Sequence, residues 1–392
     1  MNSGLAVYAS RELTAAKRLH HESQESIAAT YCSEYQRDCE RITQSTAFRR
    51  LAYKTHIFIQ HEGEAFRTAL THTLAVSRIS RIIARGLHLN DDLAEAIALG
   101  HDLGQTPFGT AGRDALSEAM NYYGGFEHSV QSLRVVDELE DKYPNIRGLN
   151  LTDETREGIL KDCSAKQAKN LGTVALRFRE NSDPSSPSLE AQVANACDDI
   201  VSDAYNIDDA LRARLVSVRQ LREHSLFGEH YAVASKKFAN SSQRTIIATT
   251  IRYIIAEQIS NVIETSRAQL DALQPKNAEE IRVAEEPMVS FSAMMYQKHT
   301  EMQQFLTGQV YRHHQVRRME FKTKKMIQRL FDTFNADSSL LPLEAQVEIQ
   351  RLQANLGSEM GRARGVADYI ASLTDKLAIS EYERLFDINF LA

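Results

Sequence analysis

Two histidines and an aspartate stand where the chain is otherwise apolar. His72 lies in "RTALTHTLAVSRIS", and His101 and Asp102 adjoin in "GHDLGQTPFGTAG". Two imidazoles and a carboxylate that converge suit a divalent cation such as Mn, Mg, Fe, Ni or Zn. An unpaired imidazole buried among apolar side chains is costly, which favours ligands over incidental core histidines. A fourth donor is needed, and the run "NACDDIVSD" offers Asp198, Asp199 and Asp203. Asp198 is our choice, although spacing alone does not separate it from the other two.

These residues need elements that bring them together. Apolar residues recur at helical spacing almost throughout and β-branched runs are scarce, so the fold class expected is all-α. One helix runs from about Thr68 to Arg85 and stops at Gly86. Another opens at Asn90-Asp91-Asp92, a cap with acidic first-turn company, and runs to Leu103. If the two form an antiparallel pair, His72 lies about 13 residues, roughly 20 Å, before the end of the first helix. His101 lies about 10 residues, roughly 15 Å, into the second, so the two imidazoles come within about a turn of each other. Gly104, Pro107 and Gly109 then shape the turn that follows.

The remaining chain reads as further helices. A short extended segment or hairpin is expected in "KTHIFIQ", 54 to 60. A loop and then a helix span 121 to 144, "DETREGILKDCS" reads as a helix, and "NSDPSSPS", 181 to 188, as a loop. The next helical run has a possible break near Asn206, and the pair Asp208-Asp209 reads as a helix cap rather than as a second metal site. Long amphipathic helices follow at 244 to 268, 309 to 334 and 358 to 374, with a polar connection around 273 to 287. The expected organisation is an N-terminal segment 1–30, a core 31–215 and a helical part 216–392 packed on that core.

Composition narrows the function classes. The 392 residues are 43% hydrophobic and 25% charged with a formal net charge of −6, which gives no global attraction for nucleic acid. Single-stranded DNA as a partner is therefore unsupported by net charge. The basic stretch "YRHHQVRRMEFKTKK", 311 to 325, suits either a phosphate or a solvated helix face. "RR" at 49 and 50 with Lys54 suits either a phosphate or the acidic loop "HEGE". Cys32, Cys39, Cys163 and Cys197 form no CxxC pair, as expected of thiols in a reducing, cytoplasmic setting. No apolar leader and no run approaching roughly 18 apolar residues is present, so neither secretion nor membrane insertion is expected.

The motifs also carry a resemblance. From about residue 30 to 330, stretches such as "STAFRRLAYKTHIFIQHEGEAFRTALTH", "AIALGHDLGQTPFGTAG", "GGFEHSVQSLRVVDELE", "LNLTDETREGILK", "SLEAQVANACDDI" and "YRHHQVRRM" follow one pattern in order. The chain resembles the HD-domain dNTP triphosphohydrolases, the dGTPase-like proteins of bacteria. The resemblance implies an all-α HD fold, assembly into a homo-oligomer such as a hexamer, and metal-dependent hydrolysis of a dNTP to deoxynucleoside and tripolyphosphate. It places the metal ligands on His72, His101, Asp102 and Asp198.

Departures cluster around that ligand set. The family stretch reads close to "HDLGHTPFGHAGE", and its two histidines and acid correspond here to Gln105, Thr110 and Arg113. His128 stays at a histidine position. The glutamine of "KTQ", near the sugar, is His56, and the phosphate-contacting arginine of "RTRLTH" is Ala69. The tyrosine and aspartate of "ADEIAYNTHD" correspond to Ser202 and Asn206, and Arg312 falls at a substrate position. A threonine hydroxyl is far too weak a base near pH 7 to replace an acid-supported histidine, and Arg113 reverses the charge that would support one. Losing an arginine at 69 removes a charge-assisted contact worth about 1.5–3 kcal/mol.

The sequence therefore reads as a triphosphohydrolase-family protein that keeps its metal ligands, with ordinary activity weak or absent. One alternative is an enzyme retuned to another phosphoester, with His56, His128 or Arg113 assisting. The other is a non-catalytic nucleotide-binding regulatory subunit or sensor, paired in a hetero-oligomer with an active paralogue.

Overall fold

The computed structural model describes residues 4–12, 17–20, 31–56, 66–160, 187–284 and 286–388. Among them the fold is all-α, with pairing between extended segments limited to isolated bridges such as Thr55 with Thr68. That bridge is what the structure shows of the extended piece expected at 54–60. Residues 57–60, the "HEGE" loop, residues 161–186 and Cys163 lie outside the described residues.

The first half begins with α1 (Glu34–Gln44) and α2 (Thr46–Arg50). Ser33 opens α1 with a reciprocal capping box to Gln36, which satisfies two of the amides left over at a helix start. Next come α3 (Ala69–Gly86), α4 (Asp91–Gly100), α5 (Gly109–Ala119) and α6 (His128–Arg134), whose last turn continues as a π-helical segment, Val135–Leu139. α7 (Asp153–Leu160) follows. The Asn90 side chain accepts the Leu93 N–H at 3.1 Å, as its reading as a cap requires.

The second half holds α8 (Leu189–Arg212), α9 (Val218–Leu221), α10 (Ser225–Lys237), α11 (Gln243–Leu273), α12 (Ala278–Arg282) and α13 (Ala293–Leu306). α13 also ends in a π-helical turn, Thr307–Tyr311, before α14 (His314–Ala336). α15 (Leu343–Leu356), α16 (Ser358–Ser372) and α17 (Asp375–Phe386) complete the described chain. α8 runs unbroken through Asn206, so the expected break is absent. Asp208 lies inside that helix and pairs with Arg212 one turn on at 3.1 Å, which corrects its reading as an N-terminal cap.

Two compact units emerge. Unit 1 comprises Met1–Ala15, Leu74–Ala98 and Pro184–Arg317, and unit 2 comprises Ala16–Thr73, Leu99–Asp183 and Arg318–Ala392. In unit 1, α11 packs along α8 and α10, and α13 packs on the same two helices. In unit 2, α15 and α16 form a tight pair, and Phe108, Leu116, Met120, Phe331, Phe334 and Ile370 share one buried cluster. Burying each such side chain contributes about 1.5–3 kcal/mol, which ties the turn carrying Phe108 to C-terminal helices. No described helix is long and apolar enough to cross a membrane.

Candidate metal centre

The helix that was expected to run to Leu103 stops at Gly100, and the reason lies in α6. The Ser132 hydroxyl accepts the Gly104 N–H at 2.9 Å and donates to the His101 carbonyl at 2.8 Å, so a side chain takes groups that would have continued the helix. Gly104 lies directly on the α6 backbone; a Cβ there would come within 2.2 Å of the Ser132 nitrogen. Ending α4 at Gly100 places His101 and Asp102 in a turn, free of helical spacing. Their side chains can then address one point.

That point already holds a histidine cluster within unit 2. His72, buried in the first turn of α3, and His101, also buried, have ring centroids 6.2 Å apart. His56 stacks on His72 at 3.9 Å with an interplanar angle of 19°. The Asp102 carboxylate lies 3.3 Å from His101 Nε2 and 3.7 Å from His128 Nε2, and it accepts the Thr73 hydroxyl at 3.4 Å. On its other nitrogen, His128 meets the Glu127 carboxylate at 3.3 Å. The contact with His128 is the main reason that the Glu127 carboxyl sits below its usual range. Imidazole and carboxylate donors of this kind have the chemistry that suits a divalent cation.

The turn beyond the cluster is strained and clamped. Phe108 adopts the left-handed region, φ 62°, which costs a non-glycine residue about 1 kcal/mol or more. Its N–H donates to Asp375 Oδ1 at 2.8 Å. Asp375 Oδ2 takes the Thr55 N–H at 3.0 Å and also the Thr55 hydroxyl. Lys54 Nζ donates to the Ala371 carbonyl at 2.7 Å and to the Gln105 carbonyl. Burial, seconded by Arg50, pushes the Lys54 ammonium down to about 7, while burial raises the Asp375 carboxyl.

The substituted positions fall as follows. Thr110 is exposed on α5, and Arg113 pairs with its neighbour Asp114 at 3.3 Å. Gln105 has a buried amide oxygen that accepts no hydrogen bond from the described residues. Ala69 is fully buried at the start of α3, and Arg50 donates to the Ser372 carbonyl at 3.1 Å. In unit 1, Asp198 is partly buried on α8 and Ser202 one turn on is also partly buried. Asn206 is buried and donates to the Tyr311 hydroxyl at 3.1 Å, whereas Arg312 is exposed. The Asp203 carboxylate is taken by Gln258, His299 and Gln303, which removes it from the candidate fourth ligands.

Sequence reasoning missed Glu127, Thr73 and Asp375. Glu127 was adjacent to a flagged histidine in "GFEHS", a signal that could have been read. Asp375 lies beyond the stretch that carries the resemblance, and nothing local marks it.

This geometry, histidines from α3 and from the turn after α4 facing an aspartate, is that of an HD domain. Residues 69–203 match the HD domain, and residues 289–384 match the phosphohydrolase-associated domain. HD domains are metal-dependent. The chain is 43% identical over 389 residues to a deoxyguanosinetriphosphate triphosphohydrolase-like protein of Thiobacillus denitrificans, covering 99% of each. It is 44% identical to the protein of that name from Ralstonia pickettii, covering 98% of this chain and 95% of the relative. The Nitrosomonas europaea relative is 43% identical, covering 99% of this chain and all of its own length. The chain belongs to the deoxyguanosinetriphosphate triphosphohydrolase-like family of HD-domain proteins.

Proposed function

We propose that the protein holds a divalent cation on His72, His101, Asp102 and Asp198, the four positions that the resemblance assigns to the metal, binds a deoxynucleoside triphosphate or a related nucleotide, and turns it over slowly or not at all. The observation that carries the reading is the state of the two replaced positions. Thr110 is exposed and Arg113 pairs with Asp114, so neither presents an imidazole or a carboxylate for proton transfer. Losing such a group costs about 10²- to 10⁴-fold in rate.

The residues that stay have definable tasks. When bound, the cation supplies a Lewis acid for a phosphoryl oxygen. His128, set between Glu127 and Asp102, is an imidazole able to hold or pass a proton beside the ligand set. The resemblance gives His56 and Arg312 as substrate positions and sets Gln105 in the catalytic stretch. Homo-oligomeric assembly belongs to the same proposal.

The test is metal content on the purified protein, then product release from the four dNTPs with Mn²⁺, with Asp102→Ala and Thr110→His/Arg113→Glu alongside. Bound metal, little wild-type turnover and a gain of about 10²-fold or more in the double variant support the reading. Brisk wild-type release of tripolyphosphate that is lost in Asp102→Ala makes it an ordinary enzyme. Bound metal with no turnover in either protein hands the site to binding or regulation.

A further inference from the structure

We propose that Arg364 on α16 anchors an oxyanion-binding site in unit 2, beside the Gly124–Gly125 turn. Its ligand is a small oxyanion of the phosphate, sulfate or carboxylate kind. The proposal stands apart from the nucleotide reading, since it uses none of the residues assigned there to metal or substrate.

The foundation is an unequal set of charges. Asp368 meets Arg134 Nη2 at 2.5 Å and Nε at 3.2 Å, and it also takes Gln131 Nε2 at 3.0 Å. Glu138 meets Arg351 at 3.0 Å and Arg134 at 3.5 Å. Glu348 meets Arg351 at 2.5 Å and Arg147 at 2.7 Å. In this chain of pairs every carboxylate is matched by an arginine, and the chain closes without Arg364. Arg364 is the arginine left over.

Its surroundings do not make up the difference. Arg364 is 8% exposed. Among the described residues its one hydrogen bond runs from Nη2 to the Gly125 carbonyl at 2.6 Å, and it forms no ion pair. A guanidinium carries five N–H donors, so most of its capacity is unspent. Asp368 lies one turn on along the same face of α16, but its oxygens are taken by Arg134 and Gln131. Burial, together with the charge of Arg134, pushes the Arg364 guanidinium down to about 10 against the pull of Asp368. It therefore stays charged at neutral pH, and a buried charge without a counter-ion is costly. The counter-ion comes from solution.

The turn that Arg364 grips leaves room beside it. Gly124 and Gly125 both adopt the left-handed region, φ 87° and 79°, and nothing lies within 4 Å of a Cβ built at Gly125. Glycine there keeps both the backbone unstrained and the space open. The planar fork of a guanidinium matches two oxygens of a phosphate, a sulfate or a carboxylate, which sets the ligand class. A bound oxyanion braces the turn leading into α6, whose far end Asp368 already holds through Gln131 and Arg134.

The experiment is calorimetric titration of the full chain with inorganic phosphate, sulfate and acetate, in EDTA and at fixed ionic strength. Saturable binding is expected for the wild type, weakened about 10-fold or more in Arg364→Met. Phosphate and sulfate without acetate identify a tetrahedral anion, and acetate with equal affinity identifies a carboxylate. Asp368→Asn removes the competing carboxylate and should tighten binding. Arginine-selective ¹⁵N labelling adds a reading on the wild type, in which the Arg364 Nε–H signal, assigned by its loss in Arg364→Lys, should move with the same saturation. That signal carries the test if Arg364→Met does not fold. Absence of saturable binding in the wild type, undiminished binding in Arg364→Met, or an Nε–H signal that stays still while another site fills would each overturn the proposal.

Discussion

Asp375 Oδ1 accepts the backbone N–H of Phe108 across 267 residues of sequence, at 2.8 Å. It thereby holds a non-glycine residue in the left-handed region six residues beyond Asp102 in the chain. Strain of this kind persists only where the surroundings over-determine it. Here a C-terminal helix supplies the determination, since Asp375 opens α17 and also engages Thr55.

Removing that carboxylate should therefore cost stability. Asp375→Ala strands the buried Phe108 and Thr55 donors and is expected to lower unfolding free energy by about 2–4 kcal/mol. Asp375→Asn keeps an acceptor and should lose markedly less. Urea denaturation of the three proteins decides it, and equal losses in both variants would count against the clamp.

Lys54 gives a pH dependence with a definite sign. Its ammonium is pushed down to about 7 in the folded chain, against an ordinary 10.5. Between those values the unfolded chain holds the extra proton, so this group makes stability rise with pH across that window. Below about 7 both states are protonated and the slope from Lys54 vanishes. Thermal unfolding from pH 6 to 10 should show a flatter profile for Lys54→Met than for wild type, and parallel profiles would refute the assignment.

Gly104→Ala tests the packing that ends α4. The added methyl would meet the Ser132 nitrogen, the Gln131 carbonyl carbon and the His128 carbonyl oxygen, all backbone atoms. A cost of about 1–3 kcal/mol is expected, with weaker Mn²⁺ binding because the turn carrying His101 and Asp102 must shift. Calorimetry with Mn²⁺ at a temperature where the variant is folded separates the two effects.

Asp102 occupies the centre of the cluster, touching His101, His128 and Thr73. Asp102→Ala should lower Mn²⁺ affinity by about 100-fold or more while Asp114→Ala, on the exposed face of α5, leaves it unchanged. Retention of wild-type affinity by Asp102→Ala would exclude it from the ligand set.

The sequence by itself determined the all-α class and the helices around His72 and before His101. Helical periodicity and caps such as Asn90 act within a turn or two, and two helices joined by a short turn fix which ends meet. Tertiary structure decided the rest. Where α4 ends depends on Ser132 of α6, and the shape of the following turn depends on Asp375 and Ala371. Asp203 is spent on His299 and Gln303 about a hundred residues away. None of these partners leaves a local pattern, because a buried hydrogen bond is set by which surfaces pack together and not by spacing along the chain.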